Sequence, residues 1–211
     1  MEWTEWNPGL DNDADTLGRV YATLPGLAQE EINWLVQLLE NPRSPLALTG
    51  AIDLFAHDCV HILLGRGLLA QDEAFVIGFT MGTSKTIGRF QRAVFKFAAR
   101  CLYPKIYRFT AQECRVFELG IEAGKLSTCS EIYNVDFRRL LSEPLGKIRR
   151  MLGIDTAFLR FMYEKEARLF PNTVVSRRLP KQVFEPDPEP YVPQPFVPPR
   201  RANLSAKTIA A

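Results

Sequence analysis

The sequence predicts an all-α fold: a single multi-helix domain with a metal site between two of its helices, followed by a proline-rich C-terminal tail. Three observations carry this expectation. Apolar residues recur at the helical period in one segment after another, and prolines and glycines punctuate those segments where helices start and stop. The chain's two histidines, His57 and His61, stand four positions apart, a spacing that puts both on one helical face. At 211 residues and 46% hydrophobic content, the chain is long enough to bury one proper core.

Residues 1–23 are polar and rich in Asn, Asp and Gly, with Trp3 and Trp6 as the large anchors, and read as an N-terminal arm holding one short helical piece. The helical domain is expected over 24–183. Its first helix spans 27–40, where Ala28, Ile32, Leu35, Val36 and Leu39 keep a helical period between Pro25 and Pro42. A second starts at Pro45, runs through Leu46, Ile52 and Phe55 into the histidine pair, and stops at Gly65, because glycine readily takes the left-handed conformation that closes a helix. Residues 72–102 are helical again, with a break expected near Gly78 or Gly82, since glycine costs about 1 kcal/mol relative to alanine inside a helix. Tyr103-Pro104 interrupts the chain. A helix over 110–124 carries Phe117, Leu119 and Ile121 and ends at Gly124, and after a polar loop further helices are expected at 136–141, 144–152 and 155–170, the last N-capped by Asp155. Seven prolines then lie between positions 186 and 199. They remove too many backbone donors for helix or sheet, so 184–211 reads as an extended or disordered tail.

The stretch with chemistry in it is His57-Asp58-Cys59-Val60-His61, followed after eleven residues by Glu73. On a helix turning about 100° per residue, His57, His61 and Asp58 fall at 0°, about 40° and about 100°, with Cys59 pointing away. A hairpin at Gly65 and Gly67 can swing Glu73 back over them. Two imidazoles and two carboxylates suit zinc, or a non-haem iron or manganese ion, and the two carboxylates would neutralise a dication. The bland alternative is that His57 and His61 are a helix-surface pair, or half-buried and bonded to backbone. Asp58 on the same face and the lack of histidine elsewhere weigh against it.

A second stretch is strongly patterned. Lys85, Arg89, Arg92, Lys96 and Arg100 fall within about 80° on a helical wheel, opposite Ile87, Phe90, Val94, Phe97, Ala98 and Cys101. Such a basic amphipathic helix is either a solvated face or a site for anionic lipid, a phosphate-bearing ligand or an acidic partner.

Other readings fail on particular residues. Gly82-Thr83-Ser84-Lys85-Thr86 has Ser84 where a phosphate loop needs its second glycine. A phosphohydrolase of the His-Asp type needs a further histidine upstream of position 57, and there is none. A hydrolase triad would have to take a histidine from the metal motif. Net charge of +2 gives no ground for nucleic acid. Cys59, Cys101, Cys114 and Cys129 form no Cys-x-x-Cys pair, which favours a reduced, intracellular chain. The first fifteen residues hold five acids and no Lys or Arg, unlike an export or transit leader, and each long apolar run is cut by a charge before about 18 residues. A cytoplasmic protein, peripheral on the inner face of the membrane, is the expectation.

His57-Asp58-x-x-His61 with Glu73 after eleven residues resembles the signature of the coenzyme Q biosynthesis protein 4 family. Gly120-x3-Gly124-Lys125 and the run from Leu145 through Lys147-Ile148-Arg149-Arg150 to Ile154 resemble that family's C-terminal helices more loosely, so that the likeness covers about residues 14–154. The resemblance implies a role in ubiquinone biosynthesis, on head groups carrying an isoprenoid tail, with metal-dependent oxidative decarboxylation at ring carbon C1. It implies His57, Asp58, His61 and Glu73 as ligands of zinc, or alternatively of iron or manganese. The partners expected are a prenylated quinone precursor or isoprenoid lipid, an anionic membrane surface, other quinone-biosynthesis proteins and a second copy in a homodimer, but no nucleic acid. A non-catalytic, lipid-binding scaffold that organises neighbouring enzymes is the alternative. The basic stripe and the proline tail are departures from the family pattern.

Overall fold

A computed structural model describes residues 2–25, 53–101 and 108–179. Among them are eight α-helices and no strand: α1 Leu17–Tyr21, α2 Leu54–Leu64, α3 Ala70–Gly82, α4 Arg89–Cys101, α5 Ala111–Leu126, α6 Leu145–Leu152, α7 Thr156–Leu169 and α8 Val174–Arg178. The all-α expectation therefore holds. The expected helix at 27–40 and the proline tail lie outside the described residues.

Local chemistry sets the helix bounds. The helix that carries the histidine pair starts at Leu54, where Asp53 is extended (φ −67°, ψ 158°) and its side chain accepts from Ala56 N at 2.7 Å, as an N-cap does; the expected stretch from Pro45 to Ile52 lies outside the described residues. It closes at Gly65, whose φ of 64° is costly for any residue with a Cβ. The segment 72–102 is two helices. Thr83 turns out of α3 because its carbonyl accepts from Glu131 N (3.1 Å) and its hydroxyl from Ile132 N (3.3 Å), tying the chain to the loop after α5. Capping of α5 by Thr110 and Glu113 is reciprocal, and Asp155 caps α7 as expected. The stretch 136–141 holds a 3-10 turn, Phe137–Leu140, and Asp136 makes no side-chain cap there.

Gly78 lies inside α3 and Gly82 is its last residue, so the expected break falls at Gly82. They face Gly120 and Gly124 of α5, and the two backbones touch: a Cβ built on Gly78 would lie 3.1 Å from Gly120 Cα, and one on Gly82 would lie 2.5 Å from Ile121 O. The two glycine pairs let the helices approach closely enough to bury Phe75, Phe79, Phe117 and Ile121 around the crossing.

The N-terminal residues are no free arm. Trp6 and Leu10 are core residues, 3% exposed. Arg149 of α6, itself buried, donates to Leu10 O (3.2 Å), Ile62 O (3.3 Å) and Leu63 O (3.0 Å), and pairs with Asp13 (2.7 Å). One guanidinium thus satisfies the last carbonyls of α2 and anchors the N-terminal segment to them.

Candidate metal centre

His57 and His61 project from successive turns of α2, and Glu73 from the first turn of α3, across the short loop 65–69. One ligand-type atom from each of the three lies within 4.8 Å of the other two. Glu73 Oε1 is 2.9 Å from His57 Nε2, Glu73 Oε2 is 3.0 Å from His61 Nε2, and the two Nε2 atoms are 3.1 Å apart. The rings stand edge to face, 4.7 Å between centroids. All three side chains are withdrawn from solvent, at 15%, 1% and 16% exposure.

Proton bookkeeping shows what the cluster needs. His61 Nδ1 donates to Gly67 O at 2.7 Å, which leaves Nε2 as the unprotonated nitrogen of a neutral ring. That lone pair then meets a carboxylate oxygen and a second Nε2 at hydrogen-bond distance. Only a further proton or a metal cation makes such an arrangement attractive. A tetrahedral ion with bonds of about 2.0–2.1 Å separates its ligand atoms by roughly 3.3 Å, so the observed 2.9–3.1 Å is a close fit to one coordination sphere. The backbone carbonyl behind His61 is also the partner that metal-bound histidines usually have. Burial raises the Glu73 carboxyl, but when a further proton rather than a metal fills the cluster, the His57 charge and the hydrogen bonds from the protonated rings outweigh burial and hold Glu73 well below the usual carboxylate range.

Asp58 stands outside this group of three. It is half-buried and turned toward α1, where the Tyr21 hydroxyl donates to it. It is close enough for His57 and His61 to draw its pKa down, yet burial dominates and raises it.

The loop between the ligand helices rests on groups that no local pattern announced. Arg66, fully buried, forks onto Glu166 of α7 with two contacts of 3.0 Å and donates to Gln71 O at 3.3 Å. Its Nε pairs with Asp72 Oδ1 at 3.1 Å, in ion-pair rather than hydrogen-bond geometry. Phe75 and Tyr163 sandwich the guanidinium at 4.7 and 4.9 Å. Arg178 of α8 closes the other oxygen of Asp72 and donates to Thr4 O. The one signal in the sequence was a lone arginine inside the apolar run from Ile62 to Ala70.

The basic stripe lies on and just ahead of α4 but is divided. Arg92 and Lys96 both pair with Glu118 of α5, at 2.9 and 2.6 Å, while Lys85, Arg89 and Arg100 are exposed. The apolar side differs from the wheel expectation: Ile87, Phe95, Ala98 and Ala99 face the core, whereas Phe90 is 78% and Phe97 64% exposed, and Cys101 is exposed beside them. Among the described residues no helix is long and apolar enough to cross a membrane.

Comparison with family models, curated proteins and solved structures returns no match to this chain.

Proposed function

We propose that this chain is a metal-binding protein of ubiquinone biosynthesis that acts at ring carbon C1 of a prenylated head group, as its motif resemblance implies. The observation that supports the reading is the convergence of His57, His61 and Glu73, from two helices, onto a point that could hold a metal ion. Nitrogen and oxygen donors at these spacings suit zinc first, with iron and manganese as alternatives. Three protein ligands, with Asp58 set back, are the pattern of a site that keeps one position for a substrate or water oxygen.

Bound there, the metal supplies Lewis-acid polarisation of the ring carboxylate or of a neighbouring oxygen. The chain's own groups do the rest. The Gly67 carbonyl fixes the His61 ring, ionised Glu73 balances the charge, and Tyr21 orients Asp58 as a nearby carboxyl that can take or give a proton. Replacing the C1 carboxyl with hydroxyl releases carbon dioxide and consumes one oxygen atom from a two-electron oxidant, such as a peroxide or dioxygen with a reductant.

A prenyl chain does not leave a bilayer for water, since each methylene contributes about 0.8 kcal/mol. The outer face of α4 supports access to that bilayer: Phe90 and Phe97 lie seven residues apart, two turns along one side, flanked by Lys85, Arg89 and Arg100.

The test is elemental analysis of protein purified without an affinity tag, beside conversion of a prenylated 4-hydroxybenzoate-type precursor. About one metal per chain is expected, lost in His57→Ala and Glu73→Ala. Unchanged metal content in both variants refutes the centre. Full conversion by a folded, metal-free His57→Ala protein in cells lacking the native gene refutes the catalytic role and leaves the scaffold.

A further inference from the structure

Four charged side chains, Arg66, Asp72, Glu166 and Arg178, meet behind the metal centre, three of them 1% exposed or less and Arg178 18%. Buried ion pairs are a poor source of stability, because desolvation offsets the attraction and a well-packed apolar cluster does as well or better. What such a cluster supplies is direction, since both Glu166 oxygens and Asp72 Oδ2 accept from named guanidinium nitrogens, while Arg66 Nε meets Asp72 Oδ1 in ion-pair geometry. Where these contacts end is the informative part. Arg66 precedes Gly67, whose carbonyl holds the His61 ring; Gln71 O and Asp72, both gripped by Arg66, precede Glu73.

We propose that Arg66, braced by Glu166, is a positioning residue for the metal centre, fixing the His61 ring and the Glu73 carboxylate in one geometry through the two ends of the loop 65–73. The proposal rests on the metal reading above. Each ligand is held through a backbone or neighbouring group one residue away. Gln71 extends the brace, donating to Glu166 at 2.6 Å and to Ser176 at 3.2 Å, so α7 and α8 both press on the first turn of α3. Gly67 has no room to drift: a Cβ there would run into the Arg178 guanidinium and lie 2.6 Å from Trp6 O. Tyr163 stacks on Arg66 and donates to Leu64 O, which pins the last turn of α2 against the same guanidinium. Pieces of chain from both ends thus converge on a loop of a few residues, and the ligands are what that loop presents.

The experiment titrates cobalt(II), a spectroscopic stand-in for zinc, into wild type, Glu166→Gln, Arg66→Lys and Arg178→Gln. Dissociation constant, visible absorption spectrum and metal-free urea midpoint are recorded for each. Loss of a partner that orients a metal ligand typically weakens metal binding 10–100-fold. Glu166→Gln keeps the shape but weakens the fork, and Arg66→Lys keeps the charge but loses it. Both are expected to weaken cobalt binding about 10-fold or more and to shift the spectrum, under conditions where circular dichroism shows them folded. Arg178→Gln, at the more exposed edge, leaves Arg66 and Glu166 in place and gives a smaller loss, so it serves if the buried variants do not fold. A merely structural role gives a lower urea midpoint with an unchanged dissociation constant and spectrum in the folded protein, which overturns the proposal. Wild type that binds no cobalt overturns the metal reading itself, and this proposal with it.

Discussion

Replacing Gly120 with alanine should cost stability although alanine is the better helix former. A Cβ at this position would stand 2.9 Å from Phe79 N and 3.1 Å from Gly78 Cα, and closer still to Phe75 O. Optimal heavy-atom contact is near 3.5–4.0 Å, so α3 and α5 must separate by on the order of 1 Å. Backbone atoms cannot step aside as a side-chain tip can. The intrinsic gain of alanine over glycine is about 1 kcal/mol. Against it stand an overpacking penalty of roughly 1–3 kcal/mol or more and lost contact among Phe75, Phe79, Phe117 and Ile121, all 2% exposed or less. A net destabilisation of about 2–3 kcal/mol follows, a large part of what holds a domain this size together. Urea unfolding followed by circular dichroism measures it, with Gly88→Ala as control, because a Cβ there meets only the end of the Gln91 side chain. The double variant Gly78→Ala/Gly120→Ala should cost less than the sum of the singles, since one separation relieves both clashes. A urea midpoint for Gly120→Ala equal to or above wild type would show that the crossing is looser than these contacts require, and the reasoning would be wrong.

Thiol labelling of the native protein at pH 8 should modify the exposed Cys101 first and leave the buried Cys59 and Cys129 protected until denaturant is added; mass spectrometry of labelled peptides decides it. Burial pushes the Cys59 thiol from its ordinary 9.0 up to about 12 and Cys129 up to about 11. Both raised values favour the neutral thiol in the folded state, so this contribution is intact below about pH 9 and falls away as pH rises toward 12; the urea midpoint should drop across that window, and by less in Cys59→Ala relative to its own value at pH 8. Anionic liposomes should sediment wild type at low salt and release it at high salt, as screening shortens the electrostatic range. Lys85→Glu/Arg89→Glu/Arg100→Glu should abolish sedimentation and Phe90→Ser/Phe97→Ser weaken it; equal sedimentation by all three proteins would make the outer side of α4 an ordinary solvated face.

What the sequence disclosed followed contact range. His57, His61 and Glu73 lie within seventeen residues, and helical phase plus one glycine hairpin brings them together. Asp58 shows the limit of that phase argument: about 100° from His57 is far enough round the helix for its side chain to turn to Tyr21 instead. On α4 the wheel identified the residues but not the inward side, because cations and aromatics both recur there, and Glu118, which takes two of the cations, comes from another helix. Gly78 and Gly82 read as weak points in one helix until Gly120 and Gly124 stood opposite them. Arg66 and Glu166 are one hundred residues apart, and no local periodicity connects them.

The contact between Arg178 and Thr4 spans 174 positions, and it covers Gly67, the residue that holds His61. A ribosome delivers the two ligand helices long before it delivers α8. Until then the carboxylate of Asp72 lacks its second arginine and the loop at Gly67 its outer cover. Contacts this distant in sequence also slow the last stage of folding. The hydrogen bond between the two ends of the described chain is therefore a clock: it dates the closing of the cover over Gly67 to after residue 178 has emerged.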